Sequence, residues 1–417
     1  MINSNKNTFT ISKVELFWLF ALFLLIYIEP ISLGGVKISQ VWKGVLIIFA
    51  LAHLLPKKLP IYIWFGILFS FKYLLYAKIP YGIFDSLRLF MESLVFPLFL
   101  GYLFIKYYVK KNNVDQLVNL ALLLSIFLIY SSVPFIFGLE SLHTEYDLSE
   151  KYNLSLSATK GLFYHIASAS KMFTIATVVI IFFRKYFMFN IISKIFWILT
   201  VLIGSFLIIM AWTRTGWFIY GASLFIIYFY ESKFKTKLLG VASLLVVFMV
   251  AGYFYETSDA FRWRLTGGAS YREEKTLSFE QLVNARLPYI NTAIDNMKEE
   301  GFFTTFIGYG ELHGRDLFEK KTNMSITSHN ATFEILESNG LLGLFLYIVF
   351  IYGLYKNTKS KLRYLPKKFK KLFLLITFLF ISFYLSSHGT PIWGELIYGC
   401  LLIYIISYSK KFQMNEQ

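Results

Sequence analysis

Twelve apolar runs recur along the chain and limit what it can fold into. Each is about as long as a helix that crosses the hydrocarbon core of a bilayer. The chain is 56% hydrophobic and only 16% charged, which also points to lipid as its main solvent. The sequence therefore predicts an all-α polytopic membrane protein with spans near residues 14–30, 41–55, 61–77, 89–105, 115–133, 161–183, 192–212, 216–230, 238–255, 331–355, 372–387 and 393–408.

The basic residues indicate the topology of these spans. With the N-terminus in the cytoplasm, more than half of the 41 Lys and Arg residues fall in inner connections, as the positive-inside rule requires. An even number of spans places both termini inside. The net charge of +16 is then a topology signal, and nucleic-acid binding is excluded. Glu29-Pro30 follows the first run in place of a small-residue cleavage site, which predicts a retained anchor.

The longest polar segment, residues 256–330, predicts an extracytoplasmic loop domain. It divides the chain into a membrane bundle of about nine spans, 1–255, and one of about three spans, 331–417. Within the loop, the spacing of Leu287, Ile290, Ile294 and Met297 predicts an interfacial helix over 284–300, with Gly301 as its stop. The single cysteine, Cys400, excludes a disulfide and a Cys-based metal site.

Three polar motifs fall on the predicted outer face: the turn Trp212-Thr-Arg-Thr-Gly216, Arg286 at the start of the loop helix, and Ser328-His-Asn330 before the tenth span. Their order and spacing, together with Gly308-Tyr-Gly310 and Gly340, resemble the O-antigen polymerase and ligase family. The resemblance is strong over residues 210–350. Elsewhere it depends on the number of spans and the position of the loop.

The resemblance implies a GT-C-like inverting glycosyltransferase of the bacterial inner membrane, with no metal and no cofactor. Its donor would be an undecaprenyl-diphosphate-linked oligosaccharide and its acceptor a glycan or a lipid-A-core sugar, with a chain-length regulator as a further partner. Arg214 and Arg286 are then candidates for a diphosphate clamp, because guanidinium groups bind such oxygens bidentately. His329 is the candidate base, because an imidazole titrates near neutral pH.

Further polar residues are candidates for substrate binding: Arg262 and Arg264 around Trp263, Asn330, Glu334 and Glu337 on one face of the tenth span, and His388 in the last outer turn. His388 is also a second candidate base. Structural alternatives stay open. Arg214 would reach lipid phosphates, Arg286 would pair with Glu280, and Ser328 or Asn330 would cap a helix beside an inert His329. Glu334 and Glu337 would pair with Lys72 or Lys171.

The motifs leave more than one function open. A polymerase is favoured over a ligase because acidic and basic residues nearly balance in the loop, whereas a phosphorylated lipid-A core would favour a cationic surface. A flippase for a lipid-linked glycan is the alternative of another class, but no internal duplication is visible. A metal-dependent transferase would use Glu29 or Asp85, and neither has a neighbouring carboxylate or histidine.

Overall fold

A computed structural model describes residues 32–33, 36–38, 116–136, 145–147, 157–159, 166–184, 190–230, 287–322, 330–364 and 367–385, with some isolated positions. Helices make up most of these residues, which confirms the predicted helical class. The described residues within 1–53 and 110–220 form one compact unit, and those within 54–109 and 221–417 form a second. The predicted division into two bundles and a loop by membrane side stays a prediction.

The first unit is built on three helices, α1 (Gln116–Ile136), α2 (Ile166–Phe182) and α3 (Ile191–Met210), which pack against one another. Their shared core contains Leu128, Ala169, Phe173, Ala176, Ile180, Leu207 and Ile208. Small residues allow this packing: a Cβ on Gly204 of α3 would collide with the hydroxyl of Thr177 of α2. Close approach at small residues is how helices pack where lipid replaces water.

Two antiparallel ladders of very short strands also belong to the first unit. Strand β1 (Ser32–Leu33) pairs with β2 (Val36–Lys37), and β3 (Glu145–Asp147) pairs with β4 (Ser157–Thr159). Strand β4 contacts both α2 and α3. Helix α4 (Arg214–Tyr230) follows α3, and the boundary between the two units falls within it, after Tyr220.

The second unit contains α5 (Leu287–Glu300), α6 (Phe302–Ile307), α7 (Glu311–Thr322), α8 (Ala331–Lys361), a 3-10 turn (Leu362–Tyr364) and α9 (Lys367–Leu385). Helices α5, α6 and α7 all contact α8. The loop helix predicted from spacing is confirmed as α5, which ends before Gly301 as expected. The cap proposed for it at Asn284 lies outside the described residues.

Within the described part of the chain, two helices are long and apolar enough to cross a membrane: Ile191–Met210 and Ala331–Ser360. Shorter apolar stretches run over Leu124–Val133 and Ala169–Phe182. Helices α1 to α4, α8 and α9 fall on six of the predicted spans. The other six runs lie wholly or largely outside the described residues, so the number of about twelve stays a prediction.

Candidate functional site

The turn around Arg214 is held by contacts on both sides. Trp212 has a left-handed backbone, with φ of 50°, and the Thr213 hydroxyl donates to the Ser170 hydroxyl of α2. Gly216 lies against the same serine, where a Cβ would collide with the hydroxyl. The Trp217 indole N–H donates to the Ile208 carbonyl at 3.1 Å, which ties the start of α4 to the end of α3. The turn is therefore fixed by packing.

Arg214 is the first residue of α4 and its side chain is exposed. A helix N-terminus carries partial positive charge from its unpaired N–H groups, so a cation there is unfavourable unless an anion binds nearby. The guanidinium and the backbone N–H groups of the first helical turn together favour a phosphate or carboxylate. This position suits the predicted diphosphate contact.

Arg286 and His329 lie outside the described residues, each directly before a described segment. Arg286 precedes Leu287, the first residue of α5, and His329 precedes Asn330, the cap of α8. Helices α5 and α8 contact each other. The structure therefore shows that the helices following the two candidates pack together, whereas the roles of Arg286 and His329 stay predictions.

Asn330 caps α8. Its side-chain oxygen accepts hydrogen bonds from the backbone N–H groups of Thr332 at 3.0 Å and Phe333 at 3.3 Å. This confirms the capping alternative for Asn330. The cap fixes the backbone direction one residue after His329.

Helix α8 is sharply bent at Gly340, whose φ of 64° and ψ of −174° are not helical. Thr332 and Tyr347, on opposite sides of the bend, both contact Tyr384 of α9. The Thr332 and Tyr384 hydroxyl oxygens are 3.0 Å apart, and the Tyr347 and Tyr384 ring centroids 6.0 Å apart. A straight helix would separate residues 332 and 347 by about 22 Å. The part of α8 between His329 and Gly340 therefore runs in a different direction from the part after Gly340.

The segment Gly308–Gly310 docks on this bend through its backbone. The N–H of Tyr309 donates to the Glu337 carbonyl at 2.9 Å, and that of Gly310 to the Ser338 carbonyl at 3.2 Å. In a regular helix those carbonyls would accept from residues beyond Gly340. A Cβ on Gly308 would lie 2.5 Å from the backbone nitrogen of Gly340, so only glycine permits this approach.

A buried hydrogen bond reinforces the docking. The Tyr309 hydroxyl donates to Glu337 Oε1 at 2.7 Å, and both residues are 4% exposed. Burial, and next the negative charge of Glu337, raise the pKa of Tyr309 far above its usual value, so it stays a donor. The motif Gly308-Tyr-Gly310 was visible in the sequence, but its bond to Glu337 was missed because no local pattern relates the two.

His313 is a second polar residue that the sequence analysis missed. Its ring stands edge-on to Tyr309 with centroids 5.8 Å apart, and its Nε2 lies 3.4 Å from Glu300 Oε1 of α5. Tyr309 and His313 thus connect α5, α7 and α8 through side chains.

The other candidates are placed as follows. Glu334 lies in the first turn of α8, where a negative charge is favourable, and its backbone carbonyl accepts from the Ser338 hydroxyl at 2.6 Å. Arg262, Arg264 and His388 lie outside the described residues. Among the described residues, no group of three or more His, Cys, Asp or Glu side chains could hold a metal ion.

These features describe a mainly helical protein with helices of spanning length, an ordered turn at Arg214 and a bent helix after His329. Residues 198–348 match the family model described as O-Antigen ligase, which supports the assignment of the chain to the O-antigen ligase and polymerase family. This confirms the resemblance predicted from the sequence. The match includes Arg214, Arg286 and His329 and ends before His388. A comparison with curated proteins gave no match.

Proposed function

We propose that the chain is a metal-independent, inverting glycosyltransferase that uses an undecaprenyl-diphosphate-linked glycan at the outer face of the bacterial inner membrane. The observation that carries the proposal is the family match over residues 198–348, because it contains all three residues chosen for the chemistry. The exposed position of Arg214 at a helix start adds independent support for an anionic ligand.

The reaction is a single displacement at the anomeric carbon of the donor. An acceptor hydroxyl oxygen forms the new bond to this carbon while the bond to the diphosphate oxygen breaks, which inverts the configuration. His329 takes the proton of the attacking hydroxyl. Arg214 and Arg286 offset the charge that grows on the departing diphosphate through bidentate hydrogen bonds.

The remaining candidates are given supporting roles. Arg262, Arg264, Glu334 and His388 would bind the phosphate or glycan hydroxyls, whereas Asn330 caps α8 and holds the segment after His329 in place. Glu337 is buried and accepts the hydrogen bond of Tyr309, so we assign it a positioning role instead of direct substrate contact. Through the bend at Gly340 it fixes the segment that begins directly after His329.

For the acceptor we favour the growing end of another glycan, which makes the protein a polymerase. The near balance of charge in residues 256–330 supports this choice, because a phosphorylated lipid-A core would be attracted by a cationic surface. Transfer to lipid-A core is the second candidate, and the description of the matching family as O-Antigen ligase favours it. Both candidates share the donor and the displacement chemistry.

The test is transfer by the purified protein in liposomes, with lipid-linked glycan extracted from the source strain. We expect His329→Ala to lower kcat by about a hundredfold or more, since it removes the base. We also expect Arg286→Ala to lower kcat by about a hundredfold, because it removes stabilisation of the leaving group. Matched controls are His53→Ala, at the cytoplasmic end of the predicted second span, and Arg363→Ala, in a predicted cytoplasmic connection. Full activity in both test variants, at normal protein levels, would contradict the mechanism.

A further inference from the structure

Three phenylalanine side chains of α6 form an exposed aromatic face. Phe302 is 83% exposed, Phe303 74% and Phe306 43%. Their spacing places the three side chains on one side of the helix. The polar residues of α6, Thr304 and Thr305, donate their hydroxyl hydrogens to preceding backbone carbonyls. The helix therefore presents aromatic rings outward while its hydroxyl groups are satisfied internally.

This aromatic face lies beside the point where the surface of α8 becomes apolar. The Phe306 carbonyl is in contact with Gly340, where a Cβ would collide with it. Directly after Gly340, the exposed side chains of α8 are hydrophobic: Leu341 is 48% exposed, Leu342 42% and Phe345 60%. The end of α6 thus meets α8 at the residue after which the exposed side chains of this spanning-length helix are hydrophobic.

Charged residues stand immediately before the aromatic face. At the end of α5, the side chains of Lys298 and Glu299 are 74% and 65% exposed. Glu299 also pairs with Lys321 of α7 at 2.8 Å. A change from exposed charge to exposed aromatic rings over a few residues is typical of segments that lie at a membrane interface.

We propose that α6 inserts Phe302, Phe303 and Phe306 into the lipid of the outer leaflet, at the boundary between headgroups and acyl chains. The occupant of this face is bulk bilayer lipid, since α6 meets α8 where the exposed side chains of α8 become hydrophobic. The insertion stands apart from glycosyl transfer. The insertion would also hold the bend of α8 at a fixed depth in the membrane, because α6 ends at Ile307 and the next residues, Gly308–Gly310, dock on that bend.

Fluorescence quenching in liposomes tests the insertion. In the full chain with Cys400→Ser, Phe303→Cys is labelled with an environment-sensitive fluorophore. Lys298→Cys serves as the aqueous control and Phe345→Cys as the lipid control. We expect the label at position 303 to lose its emission to lipid carrying a nitroxide near the headgroup, and to resist iodide in the water. The label at position 298 should behave in the opposite way.

Two outcomes would overturn the proposal. Quenching of the label at position 303 by iodide, to the same degree as at position 298, would mean that the face lies in water. Protection from both quenchers would mean that protein covers it, either a second copy or another chain. Neither outcome depends on transfer activity, so failure here is distinguishable from failure of the proposed function.

Discussion

At the scale of single residues, the proposed mechanism depends on the shape of the Arg214 side chain as well as its charge. Arg214→Lys keeps the positive charge but removes the planar pair of donors that binds two oxygens at once. We expect kcat to fall by about tenfold or more, as one strong charged hydrogen bond is worth roughly 1.5–3 kcal/mol. Transfer kinetics in liposomes measure this, and unchanged kinetics would mean that only charge matters.

The Tyr309–Glu337 hydrogen bond makes a second prediction at this scale. Tyr309→Phe removes a hydrogen-bond donor from a buried carboxylate, so we expect the free energy of unfolding to fall by about 1.5–3 kcal/mol near neutral pH. Thermal unfolding in detergent measures the loss. Tyr352→Phe, at a position of α8 that is 58% exposed, is the matched control and should change little. Equal stability of the Tyr309 variant and the wild type would contradict the role given to this bond.

The difference in stability between wild type and Tyr309→Phe is also expected to depend on pH. The folded state raises the pKa of Tyr309, whereas the unfolded phenol ionises near pH 10, so the stabilisation is complete below pH 10 and declines above it. The stability difference between wild type and Tyr309→Phe should therefore narrow by about 1.4 kcal/mol per pH unit above pH 10. A difference that widens at high pH would show that the hydroxyl is not held in its neutral form.

Single residues also show where sequence interpretation stops. Asn330 as a cap could be predicted because the signal is local, an amide directly before an apolar helical run. The bond between Tyr309 and Glu337 could not, because it joins positions 28 residues apart that no local sequence pattern relates.

At the scale of elements, the bend of α8 depends on two glycines: Gly340 at the bend, and Gly308 in the segment that docks on it. Gly340→Ala would place a Cβ against the Phe306 carbonyl and strain a backbone with φ of 64°. We expect a destabilisation of about 1–3 kcal/mol and a loss of transfer activity, because the segment after His329 would lose its direction. Gly221→Ala, where a Cβ meets nothing within 4 Å, is the matched control and should keep both stability and activity.

A Gly340→Ala protein with wild-type stability would contradict the account of the bend. The helix itself could be predicted from its apolar residues, whereas the bend could not, because it arises from the docking of Gly308–Gly310. The loop helix α5 was predictable since its periodicity and its stop at Gly301 are local. The aromatic face of α6 gave no periodic signal, because the helix has only six residues.

At the scale of the whole molecule, composition and hydropathy predicted a helical membrane protein, and the structure confirms helices of spanning length at Ile191–Met210 and Ala331–Ser360. Arg214 belongs to the first unit and the bend of α8 to the second, and each unit is organised around its own core. Hydropathy responds to burial in lipid, which is a property of each segment alone. Contacts between distant segments leave no such signal in one sequence.

The most direct test of the central claim is the surface-glycan profile of the source strain with this gene deleted, resolved by size and by lipid anchor. The strain is then complemented with wild type or with His329→Ala. We predict single repeats on their normal anchor in the deletion and in the His329→Ala strain, with long chains restored by wild type. Long chains left on undecaprenyl diphosphate would identify a ligase instead. Lipid-linked repeats trapped on the cytoplasmic face would contradict glycosyl transfer altogether.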